Sequence, residues 1–258
     1  MRDDPPVDAI DLNCDLAEGF GRWTLTEDDQ LLPLVSSANV ACGFHAGDPL
    51  TLRRVCARAA ELDVAVGAQV SYRDLAGFGR RRIECTAEEI AADVLYQLGA
   101  VSAFCAAAAA RVRYVKPHGA LYHELAADHQ RATAVATAIA AFDTSLAVLG
   151  PPGSALLDAA AAAGLRPVRE GFPDRAYHAD GRLVSRGVAG ALVTDPGRVA
   201  ERAVRMATEG TIDAVDGARV ALAVDSLCIH GDSPGAVAVA VAVRSALLAA
   251  GCEVRAFA

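Results

Sequence analysis

The side chains best suited to chemistry fall in short clusters, and each cluster lies within or just after an apolar run. Asp11, Asn13, Asp15 and Glu18 form the first; Asn39, His45 and Asp48 the second; Gln69, Ser71, Tyr72 and Arg80 the third. Lys116, His118 and Tyr122 follow, then Glu170, Asp174, Arg175 and Tyr177, and finally Asp225, His230 and Asp232. Carboxylates and imidazoles gathered in this way serve general acid–base catalysis or metal ligation. Lys116, Arg80 and Arg175 are candidates for anion recognition, because a guanidinium matches a carboxylate or phosphate bidentately. Of the six histidines, His45, His118 and His230 each have glycine within the next two positions, where the backbone can approach a ligand or take positive φ. Each residue also has a plain structural explanation. Asp11 and Asp15 could cap loops, His118 could be a turn histidine, and Lys116, in an apolar strand, would then need a carboxylate partner. Gly77–Arg82 alone reads as an exposed basic loop. What points to a site is that all the clusters fall at the same end of successive apolar runs.

Those runs are the elements that must position the clusters. Predicted strands are Ala9–Cys14, Ser37–Cys42, Val64–Ala68, Val112–Lys116, Leu146–Leu149, Arg166–Glu170 and Val220–Ser226. Stretches of helical periodicity separate them: Pro49–Leu62, Ala87–Ala110, Ala127–Phe142, Ser154–Ala163, Pro196–Glu209 and Pro234–Ala250. Asp48-Pro49 and Asp195-Pro196 are start signals, and Gly164 and Gly251 stand where a helix end takes a left-handed residue. Strands alternating with helices imply a parallel sheet, whose strand C-termini carry the active site. A doubly wound sheet shares the pattern, but the acidic turn Asp15–Gly21 lacks the glycine-rich fingerprint of a nucleotide fold, and no P-loop is present. A (β/α) barrel in one domain, residues 1–258, is therefore expected, with residues 1–8 as a flexible tail.

Bulk properties narrow the function. The 258 residues are 53% hydrophobic and carry a net charge of −8, which opposes a nucleic-acid partner. No apolar N-terminal leader and no uninterrupted membrane-length run is visible, and the seven cysteines are scattered without a C-x-x-C pair, as suits a reducing cytoplasm. His123, His129 and His178 read as solvated surface.

The segments DLNCDLAEGFGRW (11–23), SANVACGFHAGDP (37–49), GFGRR (77–81), VKPHGALY (115–122), DRAY (174–177) and AVDSLCIHGDSP (223–234) resemble, in order and over nearly the whole chain, the LamB/YcsF family. The resemblance implies a distorted (β/α)7 TIM-like barrel related to glycoside hydrolases and deacetylases. It also implies a hydrolase that opens 5-oxoproline to L-glutamate with ATP as co-substrate, acting with two further subunits, B and C. Catalytic candidates are then Asp15, Lys116, His118, His45, Asp11 and Glu18. Substrate-binding candidates are Asn13, Asn39, Gln69, Tyr72, Arg80, Tyr122, Arg175, Asp225, His230 and Asp232. Kinship with deacetylases raises a divalent metal without fixing its ligands. One departure bears on it: many relatives have histidine where this chain has Gln69, and an amide neither ligates a divalent ion as imidazole does nor exchanges protons near neutral pH. Two other functions stay open, a stand-alone metal-dependent deacetylase or carbohydrate hydrolase and a lactam-binding subunit without chemistry of its own.

Overall fold

The computed structural model describes residues 9–258; the expected tail, 1–8, lies outside the described residues. The chain opens with strand β1 (Ala9–Leu16), short helix α1 (Asp28–Leu31), β2 (Ser37–Ala41), α2 (Pro49–Glu61), β3 (Ala65–Val70) and α3 (Ala87–Ala107). It continues through β4 (Val112–Pro117), α4 (Gly119–Ala127), α5 (His129–Phe142), β5 (Ala147–Gly150), α6 (Ala155–Ala162) and β6 (Arg166–Gly171). After α7 (Pro196–Glu209), β7 (Thr211–Asp213) and β8 (Arg219–Ala221) come β9 (Ser226–Ile229), α8 (Ala236–Ala249) and β10 (Glu253–Val254). Strands β1 to β6 pair in parallel in chain order, and β9 closes the ring between β6 and β1. The result is a seven-stranded parallel barrel. It is distorted at the β6–β9 seam, where only Glu170↔Ser226 and Gly171↔Leu227 pair.

Local chemistry explains the element starts and stops. The Asp48 side chain accepts from the Leu50 and Thr51 amides at 2.9 and 3.3 Å, with Pro49 at the first helical position of α2. Such a cap contributes about 1 kcal/mol. Asp195 caps α7 in the same way, and Thr86 and Glu89 form a reciprocal capping box on α3. Gly164 and Gly251 take the left-handed φ expected of them, +77° and +82°.

Two expectations are corrected. The last barrel strand is Ser226–Ile229, not Val220–Ser226; Val220 belongs to the antiparallel β7–β8 hairpin. The stretch after Lys116 holds an unforeseen helix, α4, ahead of α5. Helix α3 is long and apolar enough by length and composition to cross a membrane, although no uninterrupted apolar run exists. It packs against α2, α5 and the strands β3 and β4.

One apolar cluster joins the outward faces of the strands (Leu12, Cys14, Leu16, Val40, Ala68) to the surrounding helices. Inside, the barrel departs from the branched apolar filling usual for this fold. Alternate residues of β1, namely Asp11, Asn13 and Asp15, face polar side chains from β2, β4 and β9. Tyr114 fits across the interior because its partner on β3 is Gly67, whose added Cβ would stand 2.1 Å from the Tyr114 ring.

Candidate active site

The interior is built in three levels. At the first, Asp11 accepts from the hydroxyls of Ser36 (2.7 Å), Ser37 (2.6 Å) and Ser226. Burial outweighs those bonds and pushes its carboxyl up to about 6. At the second, Asn39 Nδ2 donates to Asn13 Oδ1 at 2.6 Å, Asn13 Nδ2 donates to Ser226 Oγ at 2.7 Å, and Tyr114 donates to Asn39 Oδ1 at 2.6 Å. At the third, Lys116 Nζ lies 2.9 Å from Asp15 Oδ1, 2.8 Å from Glu170 Oε1 and 3.0 Å from Cys228 Sγ. All four residues are buried. Burial alone would discharge the ammonium, but Asp15, Cys228 and Glu170 hold its pKa well above the ordinary lysine value. Burial likewise opposes the charge on Asp15, and Lys116, His230 and His118 overcome it, keeping the carboxylate ionised.

This third level opens into a cavity of about 540 Å³ at the C-terminal mouth of the barrel. Asp15, Lys116, His118, Phe172 and His230 reach it from the strand ends, Tyr122 from α4, and Arg80 and Arg175 from the loops. Residues Leu183–Gly187 cover it, held by Arg175 Nη2, which donates to the Val184 carbonyl at 2.7 Å. His230 stacks on Phe172 with ring centroids 5.4 Å apart, and its Nδ1 is 2.7 Å from Asp174 Oδ2.

Beside the cavity wall lies a second buried group. Gln69 Nε2 is 3.2 Å from Glu18 Oε1 and 3.0 Å from His118 Nδ1, while His118 Nε2 is 3.0 Å from the Phe78 carbonyl. Since a carbonyl only accepts, His118 carries its proton on Nε2 and accepts from Gln69 on Nδ1. His45 stacks on His118, centroids 4.0 Å apart and planes within 10°. Burial holds His45 down to about 4 and His118 well below the ordinary histidine value, with His45 adding to the latter. Burial, then the charges of Asp15 and Asp232, keeps Glu18 protonated well above the usual carboxylate range. The tight seat depends on Gly79 (φ +66°), where a Cβ would stand 2.2 Å from Ser71 Oγ and 2.9 Å from His45 Cβ.

Among the described residues, two groups have the residue types and proximity that a metal ion requires: Glu18, His45 and His118, and Asp15, Cys228 and His230. Among the described residues, Glu18 Oε2 and both His45 nitrogens make no hydrogen bond, although His45 Nε2 stands 3.4 Å from Glu18 Oε1, and this favours a ligand there. The geometry opposes one shared ion. Imidazole lone pairs lie in the ring plane, so two rings stacked 4.0 Å apart cannot both aim at an ion about 2.0–2.1 Å from each nitrogen. His118 also has both nitrogens engaged. In the second group, Asp15 and Cys228 already share the Lys116 ammonium. As placed, neither group fits a metal.

The remaining sequence candidates scatter. Arg80 pairs with Asp232 at 2.5 Å on the cavity rim. Tyr72 donates to Glu124 at 2.6 Å, away from the cavity lining. Asp225 lies at the opposite end of the barrel, because it precedes β9; it is bound there by Arg169 at 2.6 Å. Asp48, close to His45 in sequence, caps α2 instead, and His230 is held by Asp174 and not by its sequence neighbour Asp232. His123 is exposed, as read from the sequence, and it also borders the cavity. Sequence reasoning gave no role to Glu170, Asp174, Phe172 or Cys228. For Glu170 there was a signal, since a lysine ending an apolar strand demands a carboxylate.

Known proteins share the sequence and the fold of this chain. A Mycobacterium avium protein named as the A subunit of 5-oxoprolinase is 60% identical over 248 residues, covering 96% of this chain and 98% of its own. One of Streptomyces coelicolor with the same name is 58% identical, covering 96% and 100%. The crystal structure of a lactam utilization protein from Thermus thermophilus superposes with a TM-score of 0.92 at 48% identity, covering 96% of this chain and all of that one. The peptidoglycan deacetylase PdaC of Bacillus subtilis shares the fold alone, with a TM-score of 0.50 at 12% identity, covering 98% and 89%. Residues 10–258 match the LamB/YcsF family, and the chain belongs to it.

Proposed function

We propose that this chain is the A subunit of an ATP-dependent 5-oxoprolinase and that its barrel cavity holds the lactam during ring opening. The observation that carries this is the buried Lys116, fixed between Asp15 and Glu170 on the floor of a cavity with further cations in its wall. The names of its relatives support it.

The lactam amide is stable, so hydrolysis needs activation. The lactam oxygen takes the γ-phosphoryl group of ATP, releasing ADP; water adds to the ring carbon; the C–N bond breaks as the nitrogen takes a proton; and phosphate leaves, giving glutamate. Lys116 supplies a fixed positive charge beside the carbonyl oxygen as it gains charge, and such preorganised charge inside a barrel acts more strongly than in water. Asp15 and Glu170 keep that ammonium in place. His230, with Nδ1 on Asp174, presents Nε2 as the group that takes a proton from water and returns it to nitrogen. Glu18, Gln69, His45 and His118 shape the wall, and Asp11 and Asn13 support it from below. Subunits B and C complete the enzyme, and ATP is the co-substrate.

Reconstitution with subunits B and C tests this. Glutamate and ADP should form together, depending on 5-oxoproline and on this chain, and Lys116→Met should lower turnover by at least ~10³-fold, the scale of a lost electrostatic stabiliser. Full turnover without the chain, or by the folded variant, would remove the barrel from the reaction. A stand-alone deacetylase would instead release acetate from acetylated sugars with no partner present. A binding subunit without chemistry would keep lactam affinity while Asp174→Asn and Lys116→Met left turnover by the complex intact.

A further inference from the structure

Inside the cavity, the positive charges are not equally spent. Lys116 is balanced by Asp15 and Glu170, and Arg80 by Asp232. Arg175 and Arg186 also line the cavity, and neither forms an ion pair among the described residues. Arg175 is only 3% exposed, and its Nε has no hydrogen-bond partner among the described residues. Its chain neighbour Asp174 is engaged by His230, through both the imidazole and the backbone amide. Two backbone carbonyls, of Pro173 and Arg175 itself, are clamped by Arg202 at 2.8 and 2.5 Å, so the Arg175 backbone is held from outside. His123 completes the group on the same wall.

Their mutual repulsion is felt locally. Burial first, and then the charge of Arg186, lowers the Arg175 pKa, while burial and both arginines lower that of His123. Like charges gathered around an open volume cost free energy unless an anion joins them, and a nine-tenths-buried guanidinium with an unused N–H is the costliest of these. A monocarboxylate would neutralise one of the two permanent charges. A phosphoryl dianion neutralises both, and its three terminal oxygens match the five-donor guanidinium forks.

We infer that Arg175, Arg186 and His123 form an anion site that takes the phosphoryl group of the activated lactam, an assignment that rests on the function proposed above. The Lys116 floor is then left to the ring carbonyl carbon and its substituents, and the dianion sits under the Leu183–Gly187 cover. Because Arg175 holds that cover through Val184 and Arg186 is part of it, anion binding and closure involve the same side chains.

Inorganic phosphate is the probe. Calorimetric titration of the full chain at fixed ionic strength should give one saturable phosphate site. Arg186→Gln should weaken it ~10-fold or more, the worth of one charge-assisted contact, while 5-oxoproline affinity moves less than about threefold. Arg175→Lys, which keeps the charge and loses the fork, should weaken phosphate in the same sense, with circular dichroism confirming the fold. Phosphate that fails to saturate, or that binds Arg186→Gln as tightly as the parent, overturns the site. Equal losses for phosphate and 5-oxoproline assign these arginines to the lactam's own carboxylate and overturn the phosphoryl assignment. Turnover by the assembled enzyme tests the proposed function separately, so either idea can fail while the other stands.

Discussion

Lys116 joins the chemistry of the cavity to the stability of the barrel. Its removal would leave the buried carboxylates Asp15 and Glu170 facing each other uncompensated. Breaking a buried pair by deleting one partner costs about 3–5 kcal/mol, and denaturant unfolding of Lys116→Met at pH 7 should show a loss of that size. The loss should shrink toward pH 5, since a carboxylate deprived of its cation takes up a proton. Asp11 offers a cleaner pH test. Its carboxyl is raised from 3.8 to about 6 in the fold, so the folded state binds the extra proton, and the associated stability is present at low pH and lost as pH rises through about 6. Asp11→Asn has no such term. Its stability relative to the parent should therefore improve by up to about 3 kcal/mol between pH 4 and pH 7, at 1.36 kcal/mol per unit. A difference independent of pH would contradict the assigned environment.

At the scale of elements, the loop after β3 is as critical as the strands. Gly79 has φ +66°, and an added Cβ would meet Ser71 and His45. Gly79→Ala combines a left-handed penalty of ~1–2 kcal/mol with overpacking of ~1–3 kcal/mol, and its melting temperature should fall accordingly. Six of the seven barrel strands and the helix caps are legible in the sequence, because periodicity and Asp-Pro signals act locally. The seventh strand is not. Val220–Ser226 reads as one strand, but only Val220 and Ala221 belong to one at its start, in the β7–β8 hairpin, and the true closing strand is the short Ser226–Ile229. That slip carried Asp225 to the wrong end of the barrel. The clusters of the site were visible as strand ends, whereas their pairings were not. Which acid meets Lys116 and which meets His230 depends on register between strands far apart in the chain, and no local pattern encodes it.

Considered whole, the molecule sets a lysine among the acidic and thiol groups that would otherwise draw a metal. The stacked His45 and His118 rings and the ammonium between Asp15 and Cys228 both oppose an ion. Elemental analysis of the purified chain should accordingly find well under one tightly held metal per chain; a stoichiometric ion would show that the imidazoles unstack to receive it. The closure of the ring by β9 against β1 has a different consequence, in time. Asn13 and Ser226 are 213 positions apart, yet they bond directly, and Asp15 meets Cys228 and His230 only once that seam has formed. During synthesis the first strand must wait, with its row of acids, for almost the entire chain to emerge. Its partners arrive late, so the nascent barrel has no finished floor to its cavity until β9, the closing strand, leaves the ribosome.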